Sequence, residues 1–160
     1  MSAMHRPEIV SIVEELIGRC SGLGSELFLV PAGTKGTPPH QDEFYVETEP
    51  STYASVWIAL RDVDRNNGCL WFEPDSHRGS VYEHVFLDGE RSARCTVTMS
   101  PTVDLPLKAG DALFIHPRLI HGAHDNMSDA KRQALVLTYI QRGAKFRAGN
   151  KQKRTEVQLA

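Results

Sequence analysis

The sequence predicts an all-β domain, an antiparallel sandwich or barrel preceded by one N-terminal helix. Three observations lead there. A single amphipathic helical pattern opens the chain. After it come about eight short runs rich in β-formers, each closed by Gly, Pro or Asn turn residues. No helical pattern lies between those runs, so the crossovers that parallel βαβ units require are missing. A length of 160 residues suits one domain spanning 1–160. Hydrophobic residues at 41% and charged residues at 24% place it among ordinary globular proteins. A net charge of -2 argues against nucleic acid or an anionic membrane as partner. Cys20, Cys69 and Cys95 form no CxxC pair and are odd in number, which argues for a reducing compartment and against a disulfide framework. No apolar run approaches the roughly 18 residues of a membrane span. Neither end carries a signal or lipidation pattern, so a cytoplasmic monomer or homodimer is expected.

Taken in order, residues 7–18 form the helix. Pro7 suits a first turn, and Ile9, Ile12, Val13, Leu16 and Ile17 share one face before Gly18 stops it. This face should pack on the outside of a sheet. The barrel core is expected over 26–141. Its first strand is Leu27 to Val30, closed by Pro31-Ala32-Gly33. A second covers residues 40–46. From Ala54 the chain alternates: Val56, Ile58 and Leu60 on one face, Ser55, Trp57 and Ala59 on the other. Asn66-Asn67-Gly68 is a hairpin turn, and Cys69 to Phe72 is the returning strand. Weaker strands follow at 96–99 and 105–107. Ala112 to His116, His121 to His124 and Gln133 to Ile140 complete the set. Residues 79–94 make a long connection, a length that is usually functional or disordered. The basic stretch from 143 to 160 reads as a solvated, frayed tail.

The chemistry centres on Pro39-His40-Gln41-Asp42. On a strand, residues i and i+2 point the same way, about 6.6 Å apart. An imidazole and a carboxylate so placed can converge on one ion. A His-x-Asp alone is a weak signal, but three features strengthen this one. It follows a Gly/Pro-rich turn. His121 stands near a strand start, and Arg132 follows it by eleven residues. Arg132 also heads a file of Ala134, Val136 and Thr138, odd for a solvent face and sensible if the guanidinium points inward to grip a carboxylate. Two His and one carboxylate leave coordination positions open, the arrangement of non-haem iron(II) oxygenases. His116 and His124 are rivals to His121 as the distal ligand. The cysteines read as small buried hydrophobes.

The combination resembles the phytanoyl-CoA dioxygenase family of iron(II)/2-oxoglutarate oxygenases. The matching residues are His40-Gln41-Asp42, the Trp57 strand, Asn67-Gly68-Cys69-Leu70, Pro74-Asp75-Ser76-His77, Gly110-Asp111, His121-Gly122, Asn126 and Arg132. Their order and spacing follow the family over residues 8–142. The resemblance implies a double-stranded β-helix, a jelly-roll of cupin-like form. It implies that His40, Asp42 and His121 bind Fe(II), that Arg132 pairs with the distal carboxylate of the cosubstrate 2-oxoglutarate, and that Trp57 lies beside that cosubstrate. It implies a dioxygenase that hydroxylates an unactivated C–H bond of a small-molecule substrate with dioxygen, releasing succinate and CO2. Related halogenases carry Ala or Gly where Asp42 stands, so hydroxylation or a related oxidation is favoured over halogenation.

Three departures from the family pattern are visible. Asp75 stands for the usual glycine, in a turn Asp tolerates. Ala123 stands where many members have Ser or Thr. Only about 25 residues precede the first core strand, fewer than in relatives, as in a minimal form or a fragment. Tyr45, Arg61, Tyr82, His84, Phe86 and Arg118 are candidates for the substrate side. The alternative function is a non-catalytic jelly-roll that binds metal or a small ligand, or a truncated inactive homologue.

Overall fold

Helix α1 (Pro7–Ile17) ends as expected, with Gly18 at φ 76° donating its N–H to Glu14 O at 2.9 Å. The computed structural model describes residues 3–88, 92–97, 101–147 and 155–159. Its main sheet holds four antiparallel strands: β1 (Cys20–Val30), β2 (Tyr53–Ala59), β7 (Ala112–Ile115) and β9 (Arg132–Gln141), in the order β1-β9-β2-β7. β2 is apolar on both faces, and each face has its own cover. Val56 meets Leu137, Tyr139, and Val13 and Ile17 of α1 on the outside. Trp57 and Ala59 meet Ala134, Ile115, Leu70 and Ala123 on the inside. The helix therefore covers the outer face, and the inner face closes against a smaller sheet.

That smaller sheet has β3 (Leu70–Phe72) between β6 (Val103–Leu105) and β8 (His121–Ala123). Residues 34–40 continue it beside β8, through Ala123 N–H to Thr37 O at 3.0 Å and an antiparallel bridge between His40 and His121. Gly36 allows this approach: a Cβ there would stand 2.0 Å from Ala123 O. On the far side, Cys95 N–H donates to Pro39 O at 2.7 Å. This joins a two-stranded ribbon, β4 (His84–Val85) with β5 (Arg94–Cys95), to the same segment. The two facing sheets make the double-stranded β-helix that the motifs imply.

Several expectations change. Of the expected helix face, Ile12 and Leu16 are exposed. The Asn66-Asn67-Gly68 turn closes no hairpin, because β2 and β3 lie in different sheets. β1 begins at Cys20, ahead of Leu27, because its first half, Ser21-Gly22-Leu23-Gly24-Ser25, lacks the β-former signal and is extended by pairing with β9. Residues 40–46 are not a strand. Gln41 is extended (φ -120°, ψ 130°), and Asp42–Val46 then forms the short helix α2. β2 stops at Ala59, and Leu60 beyond it is exposed. The tail does not simply fray where it is described: Val157 bridges Gly22, Leu159 is buried against α1 and β9, and Arg147 pairs with Glu47 at 2.8 Å. Lys151, Lys153 and Arg154 of that tail, Gly89-Glu90 of the long connection and the end of the expected 96–99 strand lie outside the described residues.

Two turns behave as their chemistry suggests. Asp75 takes the left-handed conformation at φ 62° and accepts from Arg78 Nε at 2.9 Å. Asn126, fully buried, donates through Nδ2 to Val30 O, Pro31 O and Ala130 O at 2.8–3.1 Å and so ties the turn before β9 to the end of β1.

Candidate metal centre

The site begins with backbone pairing. His40 and His121 exchange both N–H···O bonds, at 2.9 and 3.0 Å. Directly opposed residues in an antiparallel pair send their side chains to the same face. Eighty-one positions of sequence thus collapse to a ring-centroid separation of 4.3 Å. Asp42 joins them because Gln41 between it and His40 is extended, which turns residues 40 and 42 to one side even though a helix starts at Asp42. Asp42 Oδ1 is 3.7 Å from His40 Nε2 and 3.9 Å from His121 Nε2. One donor atom from each of the three lies within 4.8 Å of the others.

Each donor is oriented by a neighbour. His40 Nδ1 is 2.9 Å from Pro38 O, and His121 Nδ1 is 2.9 Å from Leu119 O. A carbonyl can only accept, so each Nδ1 carries the proton and each Nε2 presents its lone pair inward. Burial, then the neighbouring His121 ring, pull the pKa of His40 down to about 4, so the ring is neutral at physiological pH, the form that ligates metal. Ser55, buried on the inner face of β2, donates from Oγ to Asp42 Oδ2 at 2.5 Å and leaves Oδ1 facing the imidazoles.

The donor set fits a divalent ion of the iron type. Ligands at about 2.1 Å in a facial arrangement stand about 3 Å apart, so closing from 3.7 and 3.9 Å needs shifts of under about 1 Å. A second feature sits deeper in the barrel. Arg132 is only 5% exposed, donates from Nη1 to Gly68 O, and lies with Cζ 6.0 Å from the centre of the Trp57 ring. Among the described residues its Nε has no hydrogen-bond partner, and burial lowers its pKa. A buried guanidinium with an unused donor fits an anionic group brought in by a ligand.

The structure brings together His40, Asp42 and His121, and separately Arg132 and Trp57. Of the substrate-side candidates, Tyr45 stands edge-on to His40 with ring centroids 6.0 Å apart. His84 stacks on Phe44 at 4.2 Å and accepts the Gln41 N–H, while the Tyr82 N–H donates to Gln41 Oε1. Arg118 is engaged elsewhere, in a two-bond pair with the buried carboxylate of Glu43 at 2.9 and 3.0 Å. Arg61 and Phe86 are exposed. The rival histidines go elsewhere too. His116 faces His77 at 5.4 Å and accepts the Arg118 N–H. His124 Nε2 is 2.7 Å from Asp104 Oδ1.

Sequence reasoning missed Ser55, Gln41 and Glu43. Ser55 had a signal, a hydroxyl in the inward file with Trp57 and Ala59. Gln41 had none. Its side chain is fully buried and donates to Ser80 O and Arg118 O while accepting from Tyr82, which ties the ligand segment to both flanking loops.

Comparison with known proteins identifies the family and the fold. The family model described as Phytanoyl-CoA dioxygenase (PhyH) matches residues 2–134. Phytanoyl-CoA dioxygenase 1 of Oryza sativa subsp. japonica is 35% identical over 106 residues, covering 64% of this chain and 38% of its own length. The peroxisomal phytanoyl-CoA dioxygenase of Mus musculus is 31% identical over 137 residues, covering 81% of this chain and again 38% of its own. The chain thus spans well under half the length of these relatives. Among solved structures, the apo form of the non-heme monooxygenase ThoJ superposes with a TM-score of 0.78 at 26% identity, over 88% of this chain and 54% of its own. The epimerase SnoN in complex with Fe3+, alpha ketoglutarate and nogalamycin RO superposes with a TM-score of 0.77 at 26% identity, over 98% of this chain and 69% of its own.

Proposed function

Because the chain belongs to the phytanoyl-CoA dioxygenase family, we propose that it is an iron(II)/2-oxoglutarate-dependent dioxygenase that hydroxylates an unactivated C–H bond of a small molecule. The observation that carries this is the opposed pair His40 and His121 with Asp42 beside them, all presenting donors to one point. When bound, iron with 2-oxoglutarate and dioxygen supplies the oxidising chemistry, so that the cosubstrate leaves as succinate and CO2 and a C–H bond gains a hydroxyl.

The chain's own residues supply placement. His40, Asp42 and His121 serve as ligands and not as general acids or bases. Pro38 O and Leu119 O fix the two tautomers, and Ser55 fixes the carboxylate rotamer. Arg132 takes the distal carboxylate of 2-oxoglutarate, with Trp57 as the wall beside it. Tyr45, Tyr82 and His84, gathered at the ligand segment, form the substrate side. SnoN supports the assignment, since its described complex contains Fe3+ and alpha ketoglutarate.

The test is anaerobic addition of iron(II) and 2-oxoglutarate, followed by air. The expected result is a weak visible charge-transfer band, lost in His121→Ala, and succinate on admission of air. No band and no succinate from the well-folded wild type would favour a ligand-binding jelly-roll instead.

A further inference from the structure

We propose that Cys69, Asp104 and His124 form a second metal site, separate from the first, that takes a thiophilic divalent cation of the zinc class. One donor atom from each lies within 4.8 Å of the others. The three come from adjacent strands of the smaller sheet. Cys69 immediately precedes β3, His124 immediately follows β8, and Asp104 lies in β6 opposite Trp71 of β3. Backbone bonds hold these positions together: His124 N–H donates to Cys69 O at 3.0 Å. Donors on paired strands are placed more rigidly than donors on free loops.

His124 Nε2 and Asp104 Oδ1 are hydrogen-bonded at 2.7 Å, a contact the ion would replace, while Arg65 Nη1 donates to the other carboxylate oxygen, Oδ2, at 2.8 Å and lies 3.4 Å from His124 Nε2. Arg65 is thus placed as a carboxylate-orienting partner and leaves Oδ1 to the ion. Cys69 is fully buried, whereas the side chains of His124 and Asp104 are 21% and 31% exposed. The ion would enter from the His124 side, through a surface cavity lined by Arg65, Ala123, His124, Asp125 and Met127.

A tetrahedral ion with Zn–S of about 2.3 Å and Zn–N or Zn–O of about 2.0–2.2 Å would open the His124–Asp104 pair by under about 1 Å and draw Cys69 in. The thiol loses its proton to solvent as the sulfur–metal bond forms, and nothing is oxidised or reduced. Water completes the fourth position. Thiolate favours this cation class here, while the all-N/O trio at His40 suits iron. Cys69 also belongs to the inner apolar core with Leu70 and Ala123, so the metal adds a role to a side chain that packing already holds beside the Arg65–Asp104–His124 chain.

The probe is cobalt(II), added without oxygen to metal-stripped protein. A second equivalent should bring up an intense near-ultraviolet thiolate-to-cobalt band, which the His40 trio cannot give because it holds no sulfur. The band should vanish in Cys69→Ser, persist in Asp42→Ala, and need on the order of tenfold more cobalt in His124→Ala, a partly exposed position less exposed to folding loss than Cys69. Absence of a thiolate band in the wild type would overturn the proposal and leave an ion-pair cluster only. So would a band that survives Cys69→Ser but is lost in Cys20→Ser or Cys95→Ser. Neither result would touch the iron reading, which rests on different donors.

Discussion

Replacing Arg132 by methionine separates ligand anchoring from structural support. In the free protein, among the described residues, the guanidinium hydrogen-bonds to Gly68 O, has no partner for Nε, and faces Trp57 at 6.0 Å. Losing the Gly68 bond costs about 1–3 kcal/mol, but removing a buried cation with no carboxylate partner returns a similar amount. Stability should therefore change by less than about 2 kcal/mol. Cosubstrate binding should not be spared. Two parallel charge-assisted bonds to a carboxylate are worth about 3–4 kcal/mol together, or roughly 10²- to 10³-fold in Kd. Arg132→Lys keeps the charge without the fork and should fall between, near tenfold. The assay is anaerobic titration of the iron-loaded protein with 2-oxoglutarate, followed by the charge-transfer band, beside calorimetric unfolding of the metal-free form. An unchanged 2-oxoglutarate Kd in a folded Arg132→Met protein would refute the anchor.

Three further outcomes follow from the same geometry. Ser55→Ala frees the Asp42 carboxylate to rotate and should weaken iron(II) binding roughly tenfold in a chelator competition; unchanged affinity would mean Ser55 does not hold the ligand. Arg118→Met strands the carboxylate of Glu43, which is 6% exposed, and should cost about 3 kcal/mol by chemical denaturation, while the double variant with Glu43→Leu should recover most of that; a loss under about 1 kcal/mol would show the pair to be solvated. In the metal-free protein His40 is held neutral to about pH 4, against about 6.5 when unfolded. The unfolded chain takes up the proton first, so this stabilisation is full above pH 6.5 and is lost as pH falls toward 4, by about 3 kcal/mol. Denaturation between those pH values should show that loss and show less of it in His40→Gln; parallel profiles would contradict it.

Much of the fold was legible because its signals are local. The alternation of Ser55, Trp57 and Ala59 against Val56 and Ile58 marks a strand covered on both sides, and Val13 and Ile17 of the expected helix face supply one cover, while Ile12 and Leu16 of that face are exposed. Turn chemistry was equally readable at Asp75. What escaped depends on tertiary pairing. The Ser/Gly half of β1 is extended only because β9 lies beside it. The segment after His40 carries β-formers, Phe44-Tyr45-Val46, yet it turns helical at Asp42, where Glu43 N–H meets Pro117 O. Arg118 looked free to meet a substrate, and nothing local announces a buried Glu43 across the fold. The closeness of His40 and His121 was inferred from motif order; its physical cause, a reciprocal backbone bridge, lives only in the folded chain.

Iron's position tests the whole proposal most directly. Crystals loaded with iron(II) under anaerobic conditions and measured at the iron edge should give an anomalous peak within about 2.2 Å of His40 Nε2, His121 Nε2 and an Asp42 carboxylate oxygen. A map with no peak there at full iron loading, or with its only peak between Cys69, Asp104 and His124, would contradict it.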